Sequence, residues 1–304
     1  MLLNKYEIFE EFEKFNTLNR KAIAESIILK DYYTIAWEIN SVCNFNCPYC
    51  INPSEQSPDS SDYSVNEIKS AFNKTKKNWI ICFTGGEPFL FPNFTDLLSE
   101  LSHKHYFDIN TNLSTDNIYN LPNIKNPSSI LSVYASYHVI EREKQINGIR
   151  DFIDKVLFLQ QQNIHTIVSY LAYPSLMPRI KDDIDFLLNQ GIKNIAPKRF
   201  IGTFQGKIYP ESYSEGDITF MKSLKNCFEL DLVNFDQNTI GRPCLAGKKY
   251  FFMNRHGELF RCSSILSPHG NFFEQTISYD FFSKKCTSKN CSCPFEGVFL
   301  SKSK

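Results

Sequence analysis

From Tyr32 onward, short apolar runs alternate with segments that repeat their apolar positions at helical spacing. The runs are TIAWEIN, WIICFTGG, YFDINTN, ILSVYASYH, HTIVSYLAY and NIAPKRFIG, rich in the β-branched and aromatic residues that suit a pleated surface. Between them lie SVNEIKSAFNKTKK, NFTDLLSELSHK, EKQINGIRDFIDKVLFLQQQ and IKDDIDFLLNQG, which read as amphipathic helices. Strand-then-helix alternation predicts a parallel sheet, and six such units wound with right-handed crossovers predict an α/β fold, a partial (β/α)6 TIM-like barrel. Chemistry in such barrels sits at the C-terminal ends of the strands.

Before this core, Ile8, Phe12, Phe15 and Leu18 recur at helical spacing, so residues 1–30 are expected to form an N-terminal helical segment. The barrel is assigned to residues 31–204. A Tyr-, Gly- and Ser-rich stretch and a helix around Ile218 to Asn226 make 205–238 a linker, and 239–304 is expected to be a small cysteine-rich domain.

Charge narrows the partners. Lys and Arg total 33 and Asp and Glu total 33, so no net field draws the chain to nucleic acid or to an anionic membrane. The N-terminus has acids where a secretory signal needs a basic patch, and no stretch reaches the roughly 18 apolar residues of a membrane span. The expectation is a cytoplasmic protein, in which ten cysteines serve metal or cluster ligation in place of disulfides.

The first group, VCNFNCPYC, places Cys43, Cys47 and Cys50 on one short loop directly after the first predicted strand. Three thiolates so spaced can each take a different iron of a cubane, leaving the fourth iron open as a catalytic metal requires. A zinc site with a borrowed ligand, or three buried apolar cysteines, would use the same residues. The second predicted strand ends in Gly85, Gly86, Glu87 and Pro88 on the same barrel face. Glycines let a ligand approach the backbone, and the carboxylate can accept from an ammonium group.

Together these motifs resemble the radical S-adenosylmethionine (SAM) superfamily, whose cysteine loop has an aromatic before its last cysteine, here Tyr49, and whose second strand ends in a GGE-type motif. The resemblance covers roughly Thr34 to Gly202. It implies a [4Fe–4S] cluster on Cys43, Cys47 and Cys50 as the catalytic centre, SAM chelating its open iron, Gly85, Gly86 and Glu87 at the SAM amino group, and Tyr49 near the adenine. It also implies polar contacts to SAM from Asn110, Thr111 and Asn112 at the end of strand three, from Ser136 in strand four, and from Lys198 near the end of strand six. The bland reading is that short polar residues end strands. Tyr137, His138 and Arg199 are second-tier candidates, and Glu38 is read as a paired barrel residue.

In the C-terminal part, CLAGKKYFFMNRHGELFRC has the order Cys-x12-Gly-x4-Cys, with two strands turned at His256-Gly257 that would bring Cys244 and Cys262 together. Cys286, Cys291 and Cys293 can supply two further ligands. This resembles the SPASM and twitch extensions of radical SAM enzymes, which bind auxiliary [4Fe–4S] clusters. The cysteines here are too few for two complete clusters, so the resemblance implies one, in twitch style. A zinc ribbon would use the same tetrathiolate, and Cys82 and Cys227 are read as ordinary buried residues.

The implied activity is reductive SAM cleavage followed by hydrogen abstraction from a peptide, as in ribosomal peptide maturation, or from a sugar or other small natural-product precursor, with a flavodoxin- or ferredoxin-type electron donor. About 33 residues precede the first strand, less than a separate leader-binding winged helix would occupy, which weighs against a peptide. The alternatives of another class are a non-catalytic iron–sulfur electron-transfer protein and a zinc-stabilised binding module.

Overall fold

A computed structural model of the chain describes residues 31–50, 63–224 and 239–289. The expected N-terminal helix, Cys227, Cys291 and Cys293 lie outside these residues. All six predicted strands are present: β1 (Tyr32–Asn40), β2 (Asn78–Gly85), β3 (Tyr106–Thr111), β4 (Ile130–Ser136), β5 (Thr166–Ala172) and β6 (Ile195–Arg199). Each pairs in parallel with the next, in the order of the chain. Helices α1 (Val65–Lys74), α2 (Phe94–Leu101), a short α3 (Val139–Glu143), α4 (Gly148–Gln161) and α5 (Ile180–Asn189) connect them.

Side chains alternate across a strand, and the two faces of this sheet differ accordingly. Ile35, Trp37 and Ile39 of β1 join Ile81, Phe83, Ile109, Val133 and Val168 in one core with Ile68, Phe72, Leu97, Leu98, Phe152, Val156 and Leu187 of the helices. The other face is the interior of the partial barrel and is far more polar, carrying Asp108, Asn110, Ser132, Ser136, Ser169 and Lys198. Such a face is suited to a polar ligand; the helix-covered face supplies the stability. Local signals agree with the helix starts: Ser64 and Glu67 form a reciprocal capping box at α1, a device that satisfies two otherwise unpaired backbone donors.

The C-terminal part departs from the expectation of a separate small domain. After a hairpin of β7 (Gly202–Phe204) and β8 (Lys207–Tyr209), helix α6 (Glu215–Ser223) and a short β9 (Pro243–Cys244), the chain returns to the barrel. Strand β10 (Tyr250–Met253) pairs in parallel with β1, Thr34 opposite Tyr250. Then β11 (Glu258–Cys262) and β12 (Ile265–Asn271) follow antiparallel, giving one nine-stranded sheet; β13 (Lys284–Lys285) pairs with β9. The physical reason is the free edge of β1, whose unpaired backbone groups are satisfied by β10. Met253 and Leu259 enter the main core, so this segment does not need a core of its own. The boundary drawn at 204 likewise falls inside the β7–β8 hairpin.

Candidate active site

The cysteine loop leaves the C-terminal end of β1, where the barrel rule places chemistry. Cys43 and Cys47 are half-buried, Cys50 is exposed, and all described cysteines are free thiols. A turn closed by Cys50 N–H donating to Cys47 O at 3.1 Å brings the last two together. Burial raises the pKa of Cys43, and it pushes Cys47 up to about 12, with Glu141 and the neighbouring thiols adding to the rise. Left alone these groups stay protonated; a cationic metal at the loop would supply the charge that makes them thiolates. Among the described residues no three His, Cys, Asp or Glu side chains gather around a point that could hold one metal ion. A cubane makes a different demand, since each thiolate binds its own iron, and three thiols on one partly exposed loop fit it.

The glycines of the GGEP turn serve the cysteine loop itself. Gly86 N–H donates to Asn40 O at 2.9 Å, Glu87 N–H donates to Val42 O at 2.7 Å, and Asn40 Nδ2 donates to Glu87 O at 2.9 Å. A Cβ on Gly85, whose φ is +125°, would lie 2.3 Å from Asn40 O, and one on Gly86 would lie 2.1 Å from Val42 O. Only glycine allows these two backbones to run side by side. The turn therefore fixes where the cysteine loop starts.

The Glu87 carboxylate, expected from the sequence to meet an ammonium group, belongs to a residue that is 0% exposed, and its oxygens accept hydrogen bonds inside the protein. It accepts from Thr111 Oγ1 at 2.6 Å, from Asn112 N–H at 2.6 Å and from Phe89 N–H at 3.1 Å. Burial raises its pKa, and these donors oppose the rise. Glu87 thereby ties the end of β3 to the loop: Asn112 Nδ2 donates to Asn44 Oδ1 at 3.1 Å and approaches Cys43 Sγ at 3.7 Å.

The remaining predicted residues divide by depth. Tyr49 is buried under the loop, its hydroxyl 3.1 Å from His138 Nδ1, its ring stacked on His138 at 5.7 Å and tilted against Tyr173 at 5.0 Å. Asn110 points deeper into the barrel, donating to Cys82 Sγ at 3.3 Å, and Lys198 lies there too, its Nζ 4.9 Å from the centre of the Tyr134 ring. Ser136 sits at the end of β4, half-buried, opposite Ser169 of β5, whose buried hydroxyl has no partner among the described residues. The structure thus gathers the cysteines, Tyr49, Gly85, Gly86, Glu87 and Asn112 at the rim, with Asn110 and Lys198 on the inner wall.

Sequence reasoning missed the short helix α3. Arg142, 1% exposed, donates to the carbonyls of Tyr137 at 2.6 Å, Asn112, Ser136 at 3.4 Å and Gly148 at 3.5 Å, joining the ends of β3 and β4. Its guanidinium also lies 5.3 Å from the Phe45 ring of the cysteine loop. Glu141 accepts from Asn46 N–H at 3.2 Å. The one available signal was the charged run Glu141, Arg142 and Glu143 directly after the fourth predicted strand.

In the C-terminal part the hairpin turns where expected, with Phe252 opposite Phe260. Cys244 and Cys262 join one small cluster with Ala36, Cys82, Ala246 and Tyr250. Cys82, read as an ordinary buried residue, is buried here on the barrel-interior face. Lys284 pairs with Cys244 and Cys286 N–H donates to Arg242 O at 2.8 Å, so the segment carrying Cys286 runs beside Cys244.

Residues 37–126, from β1 past the end of β3, match the family model of the Radical SAM superfamily. The matched stretch holds both the cysteine loop and the GGEP turn. A 7-carboxy-7-deazaguanine synthase of Methanothermobacter thermautotrophicus is 33% identical over 78 residues, which are 24% of this chain and 32% of that protein, about a third of its length. Among solved structures, SuiB of Streptococcus suis bound to S-adenosylmethionine shares the fold at a TM-score of 0.57 and 14% identity, over 82% of this chain and 66% of that one. SuiB bound to its precursor peptide SuiA gives 0.60 at 14% identity, over 92% and 71%. Native anSMEcpe with bound AdoMet shares the fold at 0.57 and 16% identity, over 81% and 79%. Among the described residues no helix is long and apolar enough to cross a membrane.

Proposed function

We propose that the protein is a radical SAM enzyme that uses a [4Fe–4S] cluster and SAM to abstract hydrogen from an unreactive C–H bond. The observation that carries this reading is the pairing of the three-cysteine loop with the GGEP turn through Asn40 and Val42 at the C-terminal ends of β1 and β2. When bound, the reduced cluster delivers an electron that splits SAM into methionine and a 5′-deoxyadenosyl radical.

The chain's own residues do the rest. Cys43, Cys47 and Cys50 hold three irons and leave the fourth for SAM. The backbone of Gly85 and Gly86 and the side chain of Asn112 would help hold SAM beside the cluster, and Glu87 acts behind them by fixing the β3 end. Ser136 and the inner-wall residues Asn110 and Lys198 line the space in which SAM and substrate meet. Seating the radical inside the partial barrel limits its quenching by water.

A peptide is the favoured substrate class, because SuiB and anSMEcpe, the latter in a complex with a Cp18Cys peptide, are related in fold and were solved with peptides bound. A sugar or other small precursor is the second reading, favoured by the polar inner wall. One auxiliary [4Fe–4S] cluster is proposed at Cys244 and Cys262 with two of Cys286, Cys291 and Cys293, and a ferredoxin- or flavodoxin-type protein is proposed as electron donor. Formation of 5′-deoxyadenosine from SAM by the anaerobically reconstituted, reduced protein tests the reading. No product above the cluster-free protein would leave the electron-transfer or zinc-module alternatives.

A further inference from the structure

His138 stands at the start of α3 with φ of 40°, in the left-handed region that a residue other than glycine holds only when its surroundings over-determine it. Those surroundings are the cysteine loop. The imidazole stacks on Tyr49 with an interplanar angle of 26° and a centroid distance of 5.7 Å, and Nδ1 meets the Tyr49 hydroxyl at 3.1 Å. The ring also stands nearly perpendicular to Phe45, at 76° and 6.0 Å. One side chain therefore touches the two aromatic residues that flank Cys47 in sequence.

We propose that His138 is a positioning residue for the SAM-binding cluster, acting through Tyr49 and Phe45 to set how Cys47 is presented to iron; this rests on the functional reading above. The rest of α3 supports the assignment, because Glu141 holds Asn46 N–H and Arg142 covers Phe45 while joining the β3 and β4 ends. Phe45, Asn46 and Tyr49 are thus held from α3 or its first turn, and Cys47 by the turn to Cys50. Burial, with Arg142 beside it, pushes His138 down to about 3, so the ring is neutral and can stay packed on Tyr49. Tyr49 lies two residues after Cys47, inside the turn that Cys50 N–H closes on Cys47 O, so Tyr49 is the link from His138 to a cluster ligand. Hydrogen bonding and placement of cysteine sulfurs are among the factors that set the electronic properties of an iron–sulfur cluster.

The test compares His138→Asn, His138→Phe, Tyr49→Phe and the double variant His138→Asn, Tyr49→Phe after anaerobic reconstitution. Asparagine tolerates the left-handed backbone, so His138→Asn separates loss of the ring from backbone strain, and circular dichroism with iron analysis checks that each variant is folded and loaded. The readout is the electron paramagnetic resonance spectrum of the reduced cluster, with and without SAM. The expected result is an altered g-tensor in each single variant at wild-type iron content. The double variant should show less change than the sum of the two single variants, because His138 acts in part through the Tyr49 hydroxyl. Unaltered spectra in loaded His138 variants, or additive changes in the double variant, would overturn the proposal alone. A wild type whose signal does not respond to SAM would overturn the functional reading and this proposal with it.

Discussion

The Glu87 carboxylate accepts from the Thr111 hydroxyl at 2.6 Å, deep beneath the cysteine loop, and so joins the second and third strands of the barrel at the site. Replacing Glu87 by Gln turns one acceptor oxygen into a donor that faces Thr111 or Asn112 N–H. Losing a buried charged hydrogen bond costs about 1.5–3 kcal/mol. Urea unfolding of Glu87→Gln should show a loss of that size. A variant as stable as wild type with weakened SAM binding would restore Glu87 to direct SAM contact.

Gly86→Ala should harm the cluster before it harms the fold. The new methyl would meet Val42 O, and the relief available is displacement of the cysteine loop, since β2 is locked in the sheet. Reconstituted Gly86→Ala is expected to hold well under half of the wild-type iron while keeping its circular dichroism spectrum. Full iron loading would show that the close approach of the two backbones is not needed.

How much of this was legible in the sequence follows from the range of each interaction. The six strands and their helices were readable because β-branched runs and amphipathic periods are local. The cysteine loop and GGEP turn were readable because their chemistry is written in spacing. The clamp from α3 was not: Tyr49 meets His138 across 89 residues and Asn46 meets Glu141 across 95, contacts that exist only once β1 and β4 share a barrel. The inward turn of Glu87 was hidden for a similar reason, as its partners sit at the end of β3. The pairing of β10 with β1 was missed because a four-residue strand shows its hairpin partner in sequence but not the distant edge it covers.

His105 supplies a pH dependence unrelated to the site. It is buried behind β2 and β3, its Nδ1 accepts from Trp79 N–H at 3.2 Å, and burial, with Lys104 and His103 nearby, pushes it down to about 3. An unfolded histidine titrates near 6.5, so between about pH 6.5 and 3 the unfolded chain binds the extra proton. Stability is then complete above about pH 6.5 and falls by ~1.4 kcal/mol for each unit below it. Between pH 7.5 and 5, His105→Gln should lose about 2 kcal/mol less than wild type in urea unfolding. Equal losses would show that His105 is not held neutral.

The auxiliary site is tested by composition. One cluster on Cys43, Cys47 and Cys50 and one on the C-terminal cysteines give about eight irons and eight sulfides per chain, against about four in a protein lacking the first group. A Cys244→Ala, Cys262→Ala variant should keep about four irons and still cleave SAM, while losing substrate turnover. About four irons with one zinc in the wild type would make the second site structural.

The most direct measurement is 5′-deoxyadenosine, quantified after anaerobic reduction with SAM, for the wild type and for the variant with Cys43, Cys47 and Cys50 all replaced by Ala. Because the core lies mainly between the sheet and its helices, and of the three cysteines only Cys47 packs against it, the variant should unfold at a similar temperature to the cluster-free wild type. The account predicts product from the wild type and none from the variant. SAM cleavage persisting in the folded variant would contradict it.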